Sequence, residues 1–251
     1  METNEISQQI TDSIATITFS SKNHNALALK QLRDLSTRIQ SLGQDQSIKV
    51  IILKSAGDRT FCAGANLKEL SSIREERDAH TFFRGFADVI NAMRTCGKII
   101  IGRIQGKAVG GGVGLIASCD YILATKWASV KLSEISIGIG PLVIEPSIRR
   151  KIGISKLSSL ALNPEEWKTA EWCLQAGLYQ KIFDDTDQLD EYLIQMIGKY
   201  KSYGRESLQA MKQVIWEGTD HWSYLLDERA ALSGKLLLSP FTQKSIAKYK
   251  S

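Results

Sequence analysis

The segment Gly106-Lys107-Ala108-Val109-Gly110-Gly111-Gly112-Val113-Gly114-Leu115 is the most informative stretch of the chain. It follows the apolar run Ile99-Ile100-Ile101 and leads into the helix-compatible residues Ile116-Ala117-Ser118-Cys119. A strand, a glycine cluster and a helix in this order leave free backbone N–H groups at the start of the helix. Such donors hold a phosphate or stabilise a developing oxyanion. The glycine spacing matches neither the P-loop nor the dinucleotide-binding fingerprint, so nucleotide hydrolysis and hydride transfer are poorly supported.

A second loop of small residues runs from Ser55 to Leu67, after the apolar run 48–53 and before another predicted helix. In an open parallel sheet, ligands bind beyond the carboxyl ends of the strands. We therefore expect the two loops to leave the same edge and to supply one N–H each to a single carbonyl oxygen, which is a two-donor oxyanion hole. The alternative for the glycine cluster is a tight turn with close packing between helix and strand.

Glu134 is the third candidate for chemistry. It is the only acidic residue between Asp120 and Glu145, and apolar and small residues flank it. Burial disfavours the ionised form of a carboxyl group and so prepares it for proton transfer. The alternative is a structural ion pair with Arg149 or Arg150.

The alternation of apolar runs and helical patterns predicts a parallel α/β sheet with crossover helices. The predicted strands cover 14–19, 48–53, 99–101 and 121–124, and the first predicted helix covers 26–42. The charged residues 71–80 are predicted to be a solvated helix end or a mobile loop. Strand-like runs end at residue 183, and three helices are predicted at 188–202, 205–217 and 220–238.

Composition narrows the class of protein. The chain has 251 residues, of which 43% are hydrophobic and 24% charged, as in a soluble globular protein and unlike a disordered one. Its net charge of +5 suits anionic small molecules at least as well as nucleic acid. Four cysteines without a CxxC pair and three histidines without ligand spacing predict no metal site. A polar N-terminus and the absence of a membrane-length apolar run predict a cytoplasmic protein.

Together, these segments resemble the crotonase (enoyl-CoA hydratase/isomerase) superfamily. The matching pieces follow the family order over nearly the whole chain: Asn25-Ala26-Leu27, Phe61 to Leu67, Gly106 to Asp120, Leu132-Ser133-Glu134 with Gly138 and Pro141, and Ala176-Gly177-Leu178. The resemblance implies an α/β fold with a ββα-spiral core, here residues 1–187, and a C-terminal helical trimerisation region, here 188–251. It also implies an acyl-CoA thioester as substrate, with no separate cofactor, and a homotrimer or a dimer of trimers. Membrane and nucleic-acid partners are not expected.

The resemblance assigns roles to individual residues. The oxyanion-hole amides fall on Ala65 and Gly111, and the second of the family's two acid/base glutamates falls on Glu134. The first falls on Gly114, which has no side chain. Substrate-binding positions fall on Ala26, Ala63, Asn66, Leu67, Lys68, Gly110, Gly114, Gly140 and Pro141. Lys68 resembles a position near the CoA phosphates, with a solvated helix lysine as the alternative.

The function that the resemblance implies is that of an enoyl-CoA hydratase with one catalytic glutamate. The segments Gly110 to Gly114 and Gly138 to Pro146 together resemble the branch usually assigned as enoyl-CoA or methylglutaconyl-CoA hydratases. Isomerisation or decarboxylation through the same enolate is the enzymatic alternative, because one carboxylate or the oxyanion hole alone can support it. Because Gly114 supplies no acid, a non-catalytic subunit that binds acyl-CoA or an acyl carrier is a further alternative. Glu145 is a candidate second acid or a helix N-terminal residue.

Overall fold

The computed structural model describes residues 5–249, apart from the side chain at position 248. The strands are β1 (Glu5–Thr11), β2 (Ile14–Ser20), β3 (Val50–Ser55), β4 (Thr60–Cys62), β5 (Ile99–Ile104), β6 (Lys107–Val109), β7 (Tyr121–Thr125), β8 (Val130–Lys131) and β9 (Lys181–Phe183). The helices are α1 (Leu29–Gln44), α2 (Leu67–Ser72), α3 (Glu76–Thr95), α4 (Gly111–Ser118), α5 (Glu145–Ala161), α6 (Ala170–Ala176), α7 (Thr186–Ser202), α8 (Arg205–Ile215), α9 (Trp222–Leu237) and α10 (Pro240–Ile246), with 3₁₀ turns at Glu134–Ile137 and Ala247–Tyr249.

Two sheets form the core. The larger has six strands in the order β1-β2-β3-β5-β7-β9, all parallel except for the antiparallel pair β1–β2. The smaller has the order β4-β6-β8 and is parallel. The successive pairs β3–β4, β5–β6 and β7–β8 each give one strand to the large sheet and the next to the small one. The loops that follow β4 and β6 therefore leave neighbouring parallel strands at the same edge.

The large sheet is covered on both faces, as its continuous apolar strands predict. Val50 and Ile99 pack with Leu189 of α7 on one face. Ile51 and Ile100, one residue further along each strand, belong to the cluster that includes α1 and α3 on the other face. The α/β architecture and the C-terminal helices agree with the predicted fold class.

The local predictions are confirmed in part. The first helix begins at Leu29 rather than residue 26, because Leu27 forms a bridge with Ala65 instead. Of the two alternatives for the charged segment 71–80, the solvated helix end is confirmed: the segment ends α2 and begins α3, whose apolar face starts only at the buried Ala79. The C-terminal region contains a fourth helix, α10, that the pattern did not predict. No helix of residues 5–249 is long and apolar enough to cross a membrane.

A buried ion pair between Lys212 of α8 and Asp120 connects α8 to the core. Lys212 Nζ lies 2.7 Å from Asp120 Oδ2, and both side chains are 2% exposed. Trp216 Nε1 and the Ile100 amide also donate to the Asp120 carboxylate, each at 2.7 Å. The lysine donates further to the carbonyl of Met93. These bonds satisfy both charges, which is the condition for a buried pair to be tolerated.

Replacing Lys212 with Met should therefore lower the free energy of unfolding by about 3–5 kcal/mol, because the Asp120 carboxylate stays buried without its cation. Urea unfolding measures this loss. The matched control is Lys199→Met on the exposed side of α7, where a change within about 0.5 kcal/mol is expected. Equal unfolding midpoints for the two variants would contradict the role given to the pair.

Candidate active site

The loop between β4 and α2 presents the amide of Ala65. Leu27 N donates to Gly64 O at 2.8 Å, and Asn66 N donates to Leu27 O at 2.9 Å, so the segment that contains Ala65 is fixed against the strand-like segment before α1. Gly64 has a φ of +82°, which favours glycine. The Ala65 N–H itself donates to no acceptor in the described part of the chain.

The second loop presents the amide of Gly111 at the N-terminus of α4. Gly110 has φ +52° and ψ −121°, and its own N–H donates to Lys131 O at 3.0 Å. The Gly111 N–H points out of the helix end without a protein acceptor among residues 5–249. A Cβ at position 111 would collide with the Phe86 ring, so close packing requires glycine there.

The two loops touch each other. A Cβ placed on Gly64 would lie 3.2 Å from the Gly111 nitrogen and 2.8 Å from the Val109 oxygen. Ala65 and Gly111 both line one cavity of about 590 Å³. Among residues 5–249, two amides without a protein acceptor therefore belong to touching loops that line one cavity, as an oxyanion hole requires.

Glu134 begins the 3₁₀ turn that follows β8 and lines the same cavity. A Cβ placed on Gly110 would lie 2.7 Å from Glu134 Oε1, so the carboxyl group lies against the oxyanion loop. Oε2 is buried and has no hydrogen-bond partner among the residues described. Burial raises the pKa of Glu134 from 4.5 to about 7.

The predicted alternative, an ion pair between Glu134 and Arg149 or Arg150, is wrong. Arg149 Nε pairs with Glu145 Oε1 at 3.0 Å, one turn apart on α5. The Arg150 guanidinium lies 5.0 Å from the centroid of the Trp216 ring. Glu145 begins α5 outside the cavity wall, which matches its interpretation as a helix N-terminal residue.

The C-terminal helix α10 packs on the turn that carries Glu134. Gly138 ends this turn with a φ of +88°. A Cβ there would collide with the Thr242 hydroxyl and the Phe241 ring of α10. The position of the catalytic candidate therefore depends on residues more than one hundred positions further along the chain.

Most of the predicted site residues line the cavity. They are Ala63, Ala65, Leu67, Gly110, Gly111, Glu134, Gly140 and Pro141. Four lie outside its wall: Ala26 is buried, Asn66 caps α2 by accepting from the Glu69 amide, Lys68 is exposed, and Gly114 is buried within α4. The substrate contacts predicted for these four stay predictions.

Gly114 of α4 packs against the side chain of Ile144. A Cβ at position 114 would collide with the Ile144 side chain, which itself lines the cavity. The place towards which a longer side chain at 114 would extend is therefore filled by hydrocarbon. Among the described residues, the missing first glutamate is not replaced there by another acid.

Several residues of the cavity wall are not predicted from the sequence. Phe83 and Phe86 lie on α3, a helix that the sequence pattern did not predict. Ser233, Ser245 and Tyr249 come from the C-terminal region. Lys131, Glu165 and Trp167 form a further part of the wall. Distant segments supply these groups, so no local motif marks them. Among residues 5–249, no three His, Cys, Asp or Glu side chains group as metal ligands.

Comparison with known proteins gives consistent matches. Residues 9–249 match the family model described as enoyl-CoA hydratase/isomerase. The chain is 31% identical over 181 residues to the peroxisomal Delta(3,5)-Delta(2,4)-dienoyl-CoA isomerase of Arabidopsis thaliana, covering 66% of this chain and 63% of that protein. It therefore spans less than two thirds of that relative.

A second relative is the 2,3-dehydroadipyl-CoA hydratase of Escherichia coli, with 31% identity over 193 residues, covering 76% of this chain and 73% of that protein. Among solved structures, the enoyl-CoA hydratase of Bacillus halodurans superposes with a TM-score of 0.88 at 21% identity. That match covers 97% of this chain and 99% of the other. At this identity the structural match shows the fold alone.

The stability of the protein should report the burial of Glu134. The folded state holds this proton up to about pH 7 and the unfolded state only to about pH 4.5, so stability falls as the pH rises between these values. Glu134→Gln removes the buried charge and should stabilise the fold by about 3 kcal/mol at pH 8 and by less than about 1 kcal/mol at pH 5.

Urea unfolding at the two pH values measures the difference, with the exposed Glu191→Gln of α7 as the control. A gain for Glu134→Gln that is equally large at both pH values, or absent at pH 8, would show that the carboxyl group is not held in a low-dielectric site.

Proposed function

This chain belongs to the enoyl-CoA hydratase/isomerase family, and we propose that it acts on acyl-CoA thioesters through an enolate, with Glu134 as its single acid/base. The observation that carries the proposal is the contact between a buried carboxyl group and one of two loops whose free amides belong to residues that line the same cavity. Formation of an enolate places negative charge on the thioester oxygen. Two preorganised N–H donors stabilise that charge without reorganisation of solvent.

The pKa of Glu134 suits proton transfer in both directions. A carboxyl group with a pKa of about 7 is present as both acid and base near neutral pH. As the carboxylate, it removes a proton from the carbon next to the thioester carbonyl. As the acid formed by that step, it returns the proton to another carbon of the enolate. These two steps need no second acid.

The geometry favours isomerisation of a 3-enoyl thioester to the 2-enoyl form. In that reaction Glu134 takes a proton from Cα, the double bond moves into conjugation, and the proton is delivered to Cγ. Among the described residues, the side chain that fills this point of the wall over Gly114 is the hydrocarbon of Ile144, which cannot hold an attacking water.

Hydration is the second candidate, and the sequence resemblance favours it. Glu134 would then take the proton of a water whose oxygen bonds to Cβ and return it at Cα. The name of the Escherichia coli relative, a hydratase, supports this reading. A non-catalytic binding subunit fits less well, since a buried carboxyl group with a raised pKa is costly to keep without a use. The homotrimer stays a prediction.

Glu134→Gln should lower kcat/KM for enoyl-CoA thioesters by about 10²–10⁴-fold, because it removes the group that moves the proton. Affinity for a saturated acyl-CoA should persist, since both amides remain. In the wild-type enzyme, kcat/KM should rise with pH through about 7, as the carboxylate forms.

The matched control is Glu145→Gln, a neighbouring acid outside the cavity wall, which should keep its turnover. A kcat/KM of Glu134→Gln equal to that of the wild type would contradict the proposal. A loss of kcat/KM in Glu145→Gln but not in Glu134→Gln would assign the acid/base role to Glu145.

Isotopic labelling separates the two reactions. With a 3-enoyl-CoA in ¹⁸O-labelled water, isomerisation should give the 2-enoyl product without added oxygen. The same experiment in deuterated water should show label only where Glu134 exchanges its proton with solvent between the two transfers. Mass spectrometry of the product reads both. Rapid addition of labelled oxygen to a 2-enoyl-CoA, with no conversion of the 3-enoyl form, would assign hydration instead.

A further inference from the structure

Lys131 brings a positive charge into the cavity wall. Among the described residues that line the cavity, it is the only lysine or arginine. Its side chain is 16% exposed. Its carbonyl accepts from the Gly110 amide at 3.0 Å, and Gly110 in turn lies against the Glu134 carboxyl group. The backbone of Lys131 is therefore hydrogen-bonded to the oxyanion loop, and the residue lines the same cavity as that loop.

The protein gives this ammonium group little compensation. Its nearest carboxylate oxygen, Glu165 Oε2, lies 3.5 Å away on a side chain that is 77% exposed. Such a solvated pair contributes little. The Lys131 Nζ also lies 5.8 Å from the centroid of the Trp167 ring, a cation–π distance. An ammonium group has three N–H donors, so donors remain for a ligand in the cavity.

Among residues 5–249, the rest of the cavity wall supplies no second cation. Leu70, Phe86 and Val143 are apolar lining residues. The other charged residues that line the cavity, Glu134 and Glu165, are acidic. A carboxylate on the acyl chain of a substrate would be costly to bury in this cavity unless a cation met it. Lys131 is the group that can do so.

We infer that Lys131 selects thioesters whose acyl group ends in a carboxylate, by binding that carboxylate in the cavity that holds the reaction centre. The inference rests on the proposed function and names its substrate class, a dicarboxylic enoyl thioester. The phosphates of CoA are the other anionic groups of the substrate. They lie beyond the whole length of the pantetheine arm from the thioester carbon, whereas Lys131 lines the same cavity as Ala65, Gly111 and Glu134.

The test compares two enoyl-CoA thioesters of equal chain length, one ending in a carboxylate and one in a methyl group. Lys131→Met should lower kcat/KM for the carboxylate substrate by about 10-fold or more, chiefly through KM, because the buried anion loses its partner. The methyl-ended substrate should change by less than about 2-fold, which also shows that the variant is folded. Lys131→Arg should keep most of the discrimination.

The matched control is Lys107→Met. Lys107 Nζ lies 5.0 Å from the centroid of the same Trp167 ring, but the residue is exposed and outside the cavity wall. This variant should treat both substrates as the wild type does. An equal change for both substrates in Lys131→Met, or no change for either, would overturn the inference.

Pantetheine thioesters, which lack the CoA phosphates, separate the two anionic groups. If the loss in Lys131→Met disappears with pantetheine thioesters, Lys131 binds phosphate and the inference is wrong. If wild-type protein turns over neither acyl group, the proposed function fails. Direct binding of the carboxylate-ended CoA thioester to wild type and Lys131→Met then still decides the role of Lys131: weaker binding supports it and equal binding contradicts it.

Discussion

The close contact between two glycine-containing loops is the constraint on which the site depends. Gly64 approaches the Gly111 nitrogen so closely that a Cβ would lie 3.2 Å from it. This approach sets the amides of Ala65 and Gly111 in the wall of one cavity. It is possible because β4 and β6 are neighbouring parallel strands, so that their loops leave one edge of the small sheet. The chemistry follows from this backbone geometry.

The site is maintained at a cost that the rest of the molecule offsets. Burial of a carboxyl group with an unpartnered oxygen disfavours the ionised form, and Glu134 is kept in that state next to Gly110. Packing by α10 on the end of its turn holds it there. The saturated ion pair of Lys212 and Asp120 anchors the C-terminal region on the same core. Function therefore depends on helices that contribute no acid or base to the reaction proposed.

The local parts of the site could be predicted from the sequence, and the long-range parts could not. Glycine clusters and an isolated acid in an apolar context are local signals, and they identified both loops and Glu134. The strands β4, β6 and β8 are three, three and two residues long, too short to show any periodicity, so the small sheet was not foreseen. The roles of α10 and Lys131 depend on tertiary contacts, which no motif encodes.

The central claim is that the thioester oxygen lies between the amides of Ala65 and Gly111. The most direct test is the infrared stretching frequency of a ¹³C-labelled carbonyl in a saturated, unreactive acyl-CoA bound to the protein. Two hydrogen bonds in a water-poor cavity should polarise the carbonyl and lower this frequency below its value in water. A bound thioester whose carbonyl frequency equals or exceeds the value in water would contradict the account.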